Sequence, residues 1–434
     1  MNGKCIIYQL LPRLWGKGKF SSCDAELLAY LKSMEVGYLW LTGIPRHSSG
    51  KPFVKGDPGS PYAVCDWYDV NPYLADEPGK RMQEFEALVG RIHSAGLRCL
   101  VDFIPNHVGC DYEGGLAVHN YCDGDWTDTR KVDWSDPRTE AEYLKVLRFW
   151  ASKGVDGFRC DMVELVPADA LGRVIKAVKR EFPGMLFVAE VYRQDNYTRY
   201  LVEGGFDLLY DKTGSYDILR GILAGSHSAR ELSWNWQWLG SRQSSMLNFL
   251  ENHDEQRIPS PWFAGDANAV WGALAFDLLF NDASFMLYAG QEVGEDAAEG
   301  HEGRTSIFEW CKPEGLGCLY DYVHSGTELL AVRKELLTRY RELLALSRRP
   351  VFLNGSNWDL CYCCGAASGF NPDKHFVFMR YDDESAWLVL CNFSAETAMV
   401  SVYIPEELRL AANIYQTESL VSAPPRGYAL LKCK

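Results

Sequence analysis

DGFRCD, residues 156–161, is an apolar-flanked run that ends with an arginine and an aspartate two positions apart. Successive side chains of a β-strand alternate faces, so Arg159 and Asp161 point the same way and the guanidinium can hold that carboxylate ionised. An ionised, oriented carboxylate is a nucleophile; equally, such a pair can be a structural ion pair closing a strand end. Three further stretches share the design. VDFIPNH (101–107), FVAEVY (187–192) and FLENHDEQR (249–257) are apolar strand-like runs that break into polar, ionisable residues at their C-terminal ends. In a (β/α)8 barrel all eight strands aim their C-terminal ends at one face, and chemistry collects there. On that architecture His107, Arg159 with Asp161, Glu190, and His253 with Asp254 converge on one pocket although they are far apart in the chain.

Working outward, KCIIYQL (4–10), GYLWLTG (37–43), RCLVDFI (98–104), the run 155–161, MLFVAEV (185–191), GFDLLYD (205–211), SMLNFLE (245–251) and ASFMLYAG (283–290) read as eight strands. Between them ELLAYLKSM (26–34), EFEALVGRIHSAG (84–96), EAEYLKVLRFWASKG (140–154) and ADALGRVIKAVKREF (168–182) carry helical spacing, and TELLAVRKELLTRYRELLALS (327–347) closes the ring as a long helix. Continuous apolar strands separated by amphipathic helices indicate a parallel sheet covered by helices, and eight of them decide for a TIM barrel over an open sheet. The barrel is assigned to residues 1–107 and 138–348. Residues 108–137, rich in Gly, Asp and Trp, show neither period and are expected to form a short inserted domain over the barrel mouth after strand three. Beyond RRP (348–350), the runs HFVFMRYDD (375–383), AWLVLCNFS (386–394), AMVSVYI (398–404) and YALLKC (428–433) are β-rich with no helical period. Residues 349–434 are therefore expected to be a small antiparallel β-sandwich that packs against the barrel.

The formal charge of −14 over 434 residues argues against nucleic acid or an anionic membrane surface as partner and suits a neutral substrate. No stretch reaches the roughly 18–20 apolar residues needed to span a bilayer. MNGKCIIYQLLPRLWG lacks the parts of a signal peptide and reads as the first barrel strand. The 14 cysteines are scattered singly except for CYCC (361–364), without zinc-site spacing, and Cys99 and Cys160 fall inside apolar strands. Reduced thiols and a cytoplasmic location are expected.

At its four strand-end motifs the sequence resembles the α-amylase superfamily of retaining α-glucan-acting glycoside hydrolases. DFIPNH resembles the first family motif, GFRCD the second, VAEV the third and ENHD the fourth, in that order. The resemblance implies a barrel with an insert after strand three and a C-terminal β-domain, acting on α-1,4 bonds of starch-derived glucans or maltooligosaccharides. It implies Asp161 as nucleophile, Glu190 as general acid/base and Asp254 as the carboxylate that steadies the transition state. His107 and His253 would bond sugar hydroxyls, Arg159 would orient Asp161, Tyr62 would stack on the sugar at the cleavage point, and Asp102 and Asn106 would support them. The chemistry asks for this set in its own right: retention needs one carboxyl to attack the anomeric carbon and another to protonate the leaving oxygen, with different proton affinities. Arg159 should lower Asp161, while the apolar setting of Glu190 and its acidic neighbours should raise it.

Glu164 and Leu165 depart from the family, standing where many members place residues that hold the leaving-group sugar. That leaves a transglycosylase or an α-glucosidase as alternatives, together with a non-catalytic glycan-binding member, although such members usually lack one of the three acids. Many relatives bind calcium through the asparagine matching Asn106 and acids of the insert, here Asp125 and Asp128, so calcium is a possible cofactor; no metal ligand is assigned. Trp67, Trp126 and Trp134 are placed in loops at the mouth, and WNWQW (234–238) suits a strand or extended loop as well as a sugar platform.

Overall fold

The computed structural model describes residues 3–299, 302–305, 307–365 and 367–434. All eight apolar runs form parallel strands: β1 (Ile6–Leu10), β2 (Tyr38–Leu41), β3 (Arg98–Phe103), β4 (Gly157–Cys160), β5 (Leu186–Ala189), β6 (Leu208–Tyr210), β7 (Met246–Phe249) and β8 (Ser284–Tyr288). They close in sequence order, β8 pairing back onto β1 with Ile6 opposite Phe285.

Strand alternation builds two apolar layers from one barrel. Ile7, Trp40, Leu100, Val188, Leu208, Leu247 and Met286 fill the interior. Their neighbours Ile6, Tyr8, Leu39, Cys99 and Phe187 face the surrounding helices. Both faces are thus dry, which is why the strands read as unbroken apolar runs rather than alternating ones. Each fully buried aliphatic side chain contributes roughly 1.5–3 kcal/mol. Gly157 opens β4 because a Cβ there would lie 2.2 Å from the Leu186 carbonyl oxygen of β5.

The helix after the insert begins at Pro137, ahead of the expected 140, because Asp136 accepts the Arg138 N–H and Pro137 takes the first helical position. The closing helix runs Ala331–Ser347, so residues 327–330 lie outside it. The insert holds regular structure that its composition hid: His107–Gly109 pairs antiparallel with Thr129–Lys131. A second hairpin, Pro45–His47 with Val64–Val70, follows β2 and carries Tyr62 in its connection.

The C-terminal region contains β9 (Ser356–Asp359), β10 (His375–Tyr381), β11 (Ala386–Asn392), β12 (Ala398–Tyr403), β13 (Glu418–Ala423) and β14 (Tyr428–Lys432). A four-stranded antiparallel sheet in the order β9-β10-β11-β14 faces the pair β12-β13 across a separate apolar core that includes Val377, Leu388, Val400 and Val421. Strands β9 and β13 add to the four runs expected, and the helix Glu406–Ala412 departs from the β-only expectation; Leu408 and Ala412, one turn apart, bury against that core. Among the described residues no helix is long and apolar enough to cross a membrane.

Candidate active site

Strand alternation sets the upper layer of the barrel interior. Asp102 of β3 lies in register with Arg159 of β4, and both point inward above Leu100 and Gly157. The chain then leaves β4 and β5 directly into Asp161 and Glu190, whose N–H groups still bond the Phe103 and Cys160 carbonyls of the neighbouring strands. The two acids are therefore held by barrel backbone rather than by loops.

One guanidinium gathers the carboxylates. Arg159 Nη1 donates to Asp161 Oδ1 at 2.5 Å, while Nη2 lies 2.9 Å from Glu190 Oε1 and 3.9 Å from Asp254 Oδ2. The cation is itself buried between the rings of Trp40, Tyr62 and Tyr210, 5.3–5.8 Å from their centroids. Asp254 keeps 41% of its side chain exposed, so the cluster opens to solvent on that side.

Glu190 is the most heavily bonded of the three. Its Oε2 accepts the Met162 N–H at 2.8 Å and its Oε1 the Tyr192 hydroxyl at 2.8 Å. Met162 has φ 44°, a left-handed conformation that a residue bearing a Cβ adopts only under constraint, and at this bend its N–H bonds the acid. Burial raises the proton affinity of Glu190 above the ordinary carboxylate range; Arg159 opposes the rise and the Asp161 charge adds to it. Asp254 is raised as well, by desolvation and then by the Glu190 charge. Asp102, pushed up to about 7 by burial, accepts from Trp40 Nε1 at 3.2 Å and from the Gly43 N–H at 3.0 Å. Gly43 has φ 84°, which glycine adopts freely, and so turns that N–H inward.

Tyr62 stacks almost parallel on His253, with 9° between the rings and 5.2 Å between centroids, and its hydroxyl bonds His253 Nε2. Gln9 Nε2 lies 2.7 Å from His253 Nδ1. Burial, reinforced by Arg159, pushes His253 far below its usual range and keeps it neutral. His107 is also buried, lowered to about 4, with the Asn106 amide at 3.3 Å and the Trp126 ring beside it.

The sequence pointed to other roles at several positions. Trp67, expected at the mouth, belongs to the hairpin strand Val64–Val70 and is 1% exposed, packed on Phe103 and Tyr143. Trp134 stacks on Tyr143 and donates to the Pro105 carbonyl, which is core packing. WNWQW lies in the helix Arg230–Leu239, not in a strand or extended loop: Leu232 and Leu239 bury one face at helical spacing. Asn106 meets neither Asp125 nor Asp128; it donates to Asp123 Oδ2 at 2.8 Å, and Lys131 Nζ holds Asp123 Oδ1 at 3.0 Å.

That last arrangement does not fit calcium. An ammonium already neutralises the acid beside Asn106, standing 3.0 Å from Asp123 Oδ1 where a cation would compete with it. Among the described residues no group of three His, Cys, Asp or Glu side chains is arranged to hold a metal.

Tyr192 and Trp40 were missed by sequence reasoning, and Glu164 was singled out only as a departure beside the leaving-group sugar. Tyr192 had a signal, since it follows Glu190 by two positions just as Asp161 follows Arg159. In the structure Glu164 accepts from the Tyr192 N–H at 2.9 Å and from Asn196 Nδ2 at 2.5 Å, tying down the segment that follows Glu190, a role the sequence did not indicate.

The barrel, the insert and the terminal sandwich superpose as a unit on a solved relative. The ligand-free cyclic alpha-maltosyl-(1→6)-maltose hydrolase from Arthrobacter globiformis matches with a TM-score of 0.75 at 18% identity, covering 99% of each chain. The two chains share one fold, a (β/α)8 barrel followed by a C-terminal β-domain. Over 98% of its length the chain is 26% identical to the Alpha-amylase MalA of Haloarcula japonica, covering 59% of that protein. It is 25% identical to the amino acid transporter heavy chain SLC3A1 of Mus musculus over 55% of its length, covering 39% of that protein. The chain thus spans about half the length of these curated relatives. No family model matches it. Enzymes and a transporter subunit both stand among these similar proteins, so similarity alone does not select an activity.

Proposed function

We propose that this chain is a retaining glycoside hydrolase that cleaves α-1,4-glucosidic bonds of starch-derived glucans or maltooligosaccharides. The observation that carries the reading is the convergence of Asp161, Glu190 and Asp254 on the single buried guanidinium of Arg159. A structural ion pair needs one carboxylate per arginine; three acids, one of them open to solvent, suit a centre where positive charge develops. MalA and the cyclomaltodextrinase of Geobacillus thermopakistaniensis, both similar over more than nine-tenths of this chain, support the choice of substrate.

The step runs as follows. Asp161, held by Arg159, attacks the anomeric carbon as Glu190 gives its proton to the departing glycosidic oxygen, forming a glycosyl ester on Asp161. Glu190, now ionised, takes a proton from water, whose oxygen opens the ester and restores the carboxylate. Asp254 bonds ring hydroxyls and strengthens those bonds as oxocarbenium charge grows. Tyr62, locked against His253, offers its ring to the sugar, and neutral His253 and His107 serve as uncharged hydrogen-bond partners.

No calcium is assigned to this site, which the Lys131–Asp123 ion pair supports. A cytoplasmic setting is part of the proposal: all fourteen cysteines lie among the described residues and none is in a disulfide. Transfer to a second sugar is the competing reading, since Glu164 is occupied with backbone of the segment after Glu190 and Leu165 is exposed where an acceptor would arrive. Incubation with starch, maltooligosaccharides, pullulan, sucrose and trehalose, with products resolved by size, tests both. Shorter maltooligosaccharides support hydrolysis, longer ones support transfer, and inertness toward every sugar rejects the enzyme reading in favour of a binding member.

A further inference from the structure

WNWQW and CYCC, far apart in the chain and idle in the chemistry above, meet at one place. The helix Arg230–Leu239 and the turn Cys361–Cys363 line a common groove of about 610 Å³ between the barrel and the terminal sandwich. That volume falls within the roughly 300–1,000 Å³ of small-ligand sites. The groove shares no residue with the carboxylate cluster.

Its walls carry two exposed aromatic rings, Trp234 at 62% and Tyr362 at 70% exposure. Scattered exposed aromatics need no explanation, but a pair lining one concavity with a polar rim marks a binding surface. Tyr362 is held in place, since its hydroxyl accepts the Trp358 indole N–H at 2.7 Å. Ser233 donates to Asp359 at 2.5 Å across the groove floor, which fixes the helix against the sandwich. Arg230 and Gln237 add donors beside Trp234. Trp238, one helical turn on, is covered by the Arg242 guanidinium at 4.2 Å and takes no part.

This chemistry selects its ligand. Flat apolar rings flanked by amide, guanidinium and carboxylate groups match a molecule with apolar faces and hydroxyl edges, which is a pyranose. An anionic polymer would find one arginine, Arg230, already facing Asp373 at 3.7 Å, on a chain of net charge −14. A peptide adding to a sheet would meet edge strand β9 at Asp359 alone, the one residue of that strand lining the groove. We propose that the groove is a second α-glucan-binding site, remote from the three acids, which holds a stretch of polysaccharide while another stretch is processed. The inference rests on the α-glucan reading given above. A long chain can reach both sites at once and gains effective concentration from the second; a trisaccharide cannot.

The test uses native electrophoresis through gels containing soluble starch, on the Asp161→Asn protein so that the polysaccharide survives. That protein is expected to be retarded, and Trp234→Ala with Tyr362→Ala in the same background to weaken its affinity for starch about fivefold to tenfold. Trp234→Leu, which keeps bulk without a π face, should act in the same direction with thermal unfolding unchanged. In the active protein the same substitutions should raise KM for starch and leave maltotriose kinetics as they were. Retardation undiminished in the double variant, or starch and maltotriose affected alike, would overturn the proposal. Failure of the underlying α-glucan reading looks different: no α-glucan is hydrolysed by the parent protein and none retards it, whereas failure of the groove alone leaves hydrolysis intact.

Discussion

Arg159 Nη2 stands 2.9 Å from Glu190 Oε1. The sequence had assigned this arginine to Asp161 alone, yet its two terminal nitrogens divide between the two acids. A planar fork fixes both directions at once, whereas an ammonium on a flexible four-carbon stem fixes neither. Arg159→Lys, which keeps the charge, is therefore expected to lower kcat by about 10²-fold through misplacement of the reacting groups. Steady-state kinetics on maltoheptaose check this; an unchanged kcat would show that the charge suffices and the fork does not matter.

Glu190 and Asp161 separate by the demands of the leaving group. Glu190→Gln should lose about 10²- to 10⁴-fold on maltooligosaccharides, whose departing oxygen needs a proton. On an α-glucosyl or α-maltosyl fluoride, which needs none, the same variant should form the glycosyl ester at close to the parent rate. Asp161→Asn should be inactive on both. The opposite pattern would exchange the two roles.

Tyr192 sets the basic limb of the pH profile. Its hydroxyl bonds the Glu190 carboxylate and so favours the ionised form, offsetting part of the rise that burial imposes. Without it the folded-state affinity for the proton climbs further, and Glu190 stays protonated, hence competent as an acid, to higher pH. Tyr192→Phe should move the basic limb of kcat/KM upward by about one pH unit, the worth of one hydrogen bond to a charged group. Glu164→Ala, which releases the backbone of the segment carrying Tyr192, should shift the limb the same way, while Glu164→Gln should do so less. A downward shift would reverse the assigned direction.

Lys131 at Asp123 predicts indifference to chelators. Dialysis against EDTA should alter Tm by less than about 2 °C, below what loss of a bound ion would cause. Added calcium should not raise it. Lys131→Met, which strips the cation from Asp123, should lower Tm, and calcium affinity that appears only in this variant would show the ammonium to occupy the ion's place.

The barrel was legible because its strands are buried on both faces and its helices on one, so each period is written into local sequence. The four motifs were legible because a strand that ends in ionisable residues contradicts its own apolar character, and the contradiction marks the face where strands end. Trp67 and Trp134 show where local reading stops: both lie in stretches without a period, and their burial follows from a hairpin closing over Phe103 and from the packing of Tyr143.

What the chain determined by itself, then, is which residues reach the mouth of the barrel, since alternation along a strand is a property of the backbone. The sharing of Arg159 among three acids, the bond from Met162 in its left-handed turn, the clamp of Glu164 on the Tyr192 segment and the lysine beside Asn106 were decided by tertiary structure. Each joins groups from separate elements, and only the closing of eight strands into a ring fixes the distances between them.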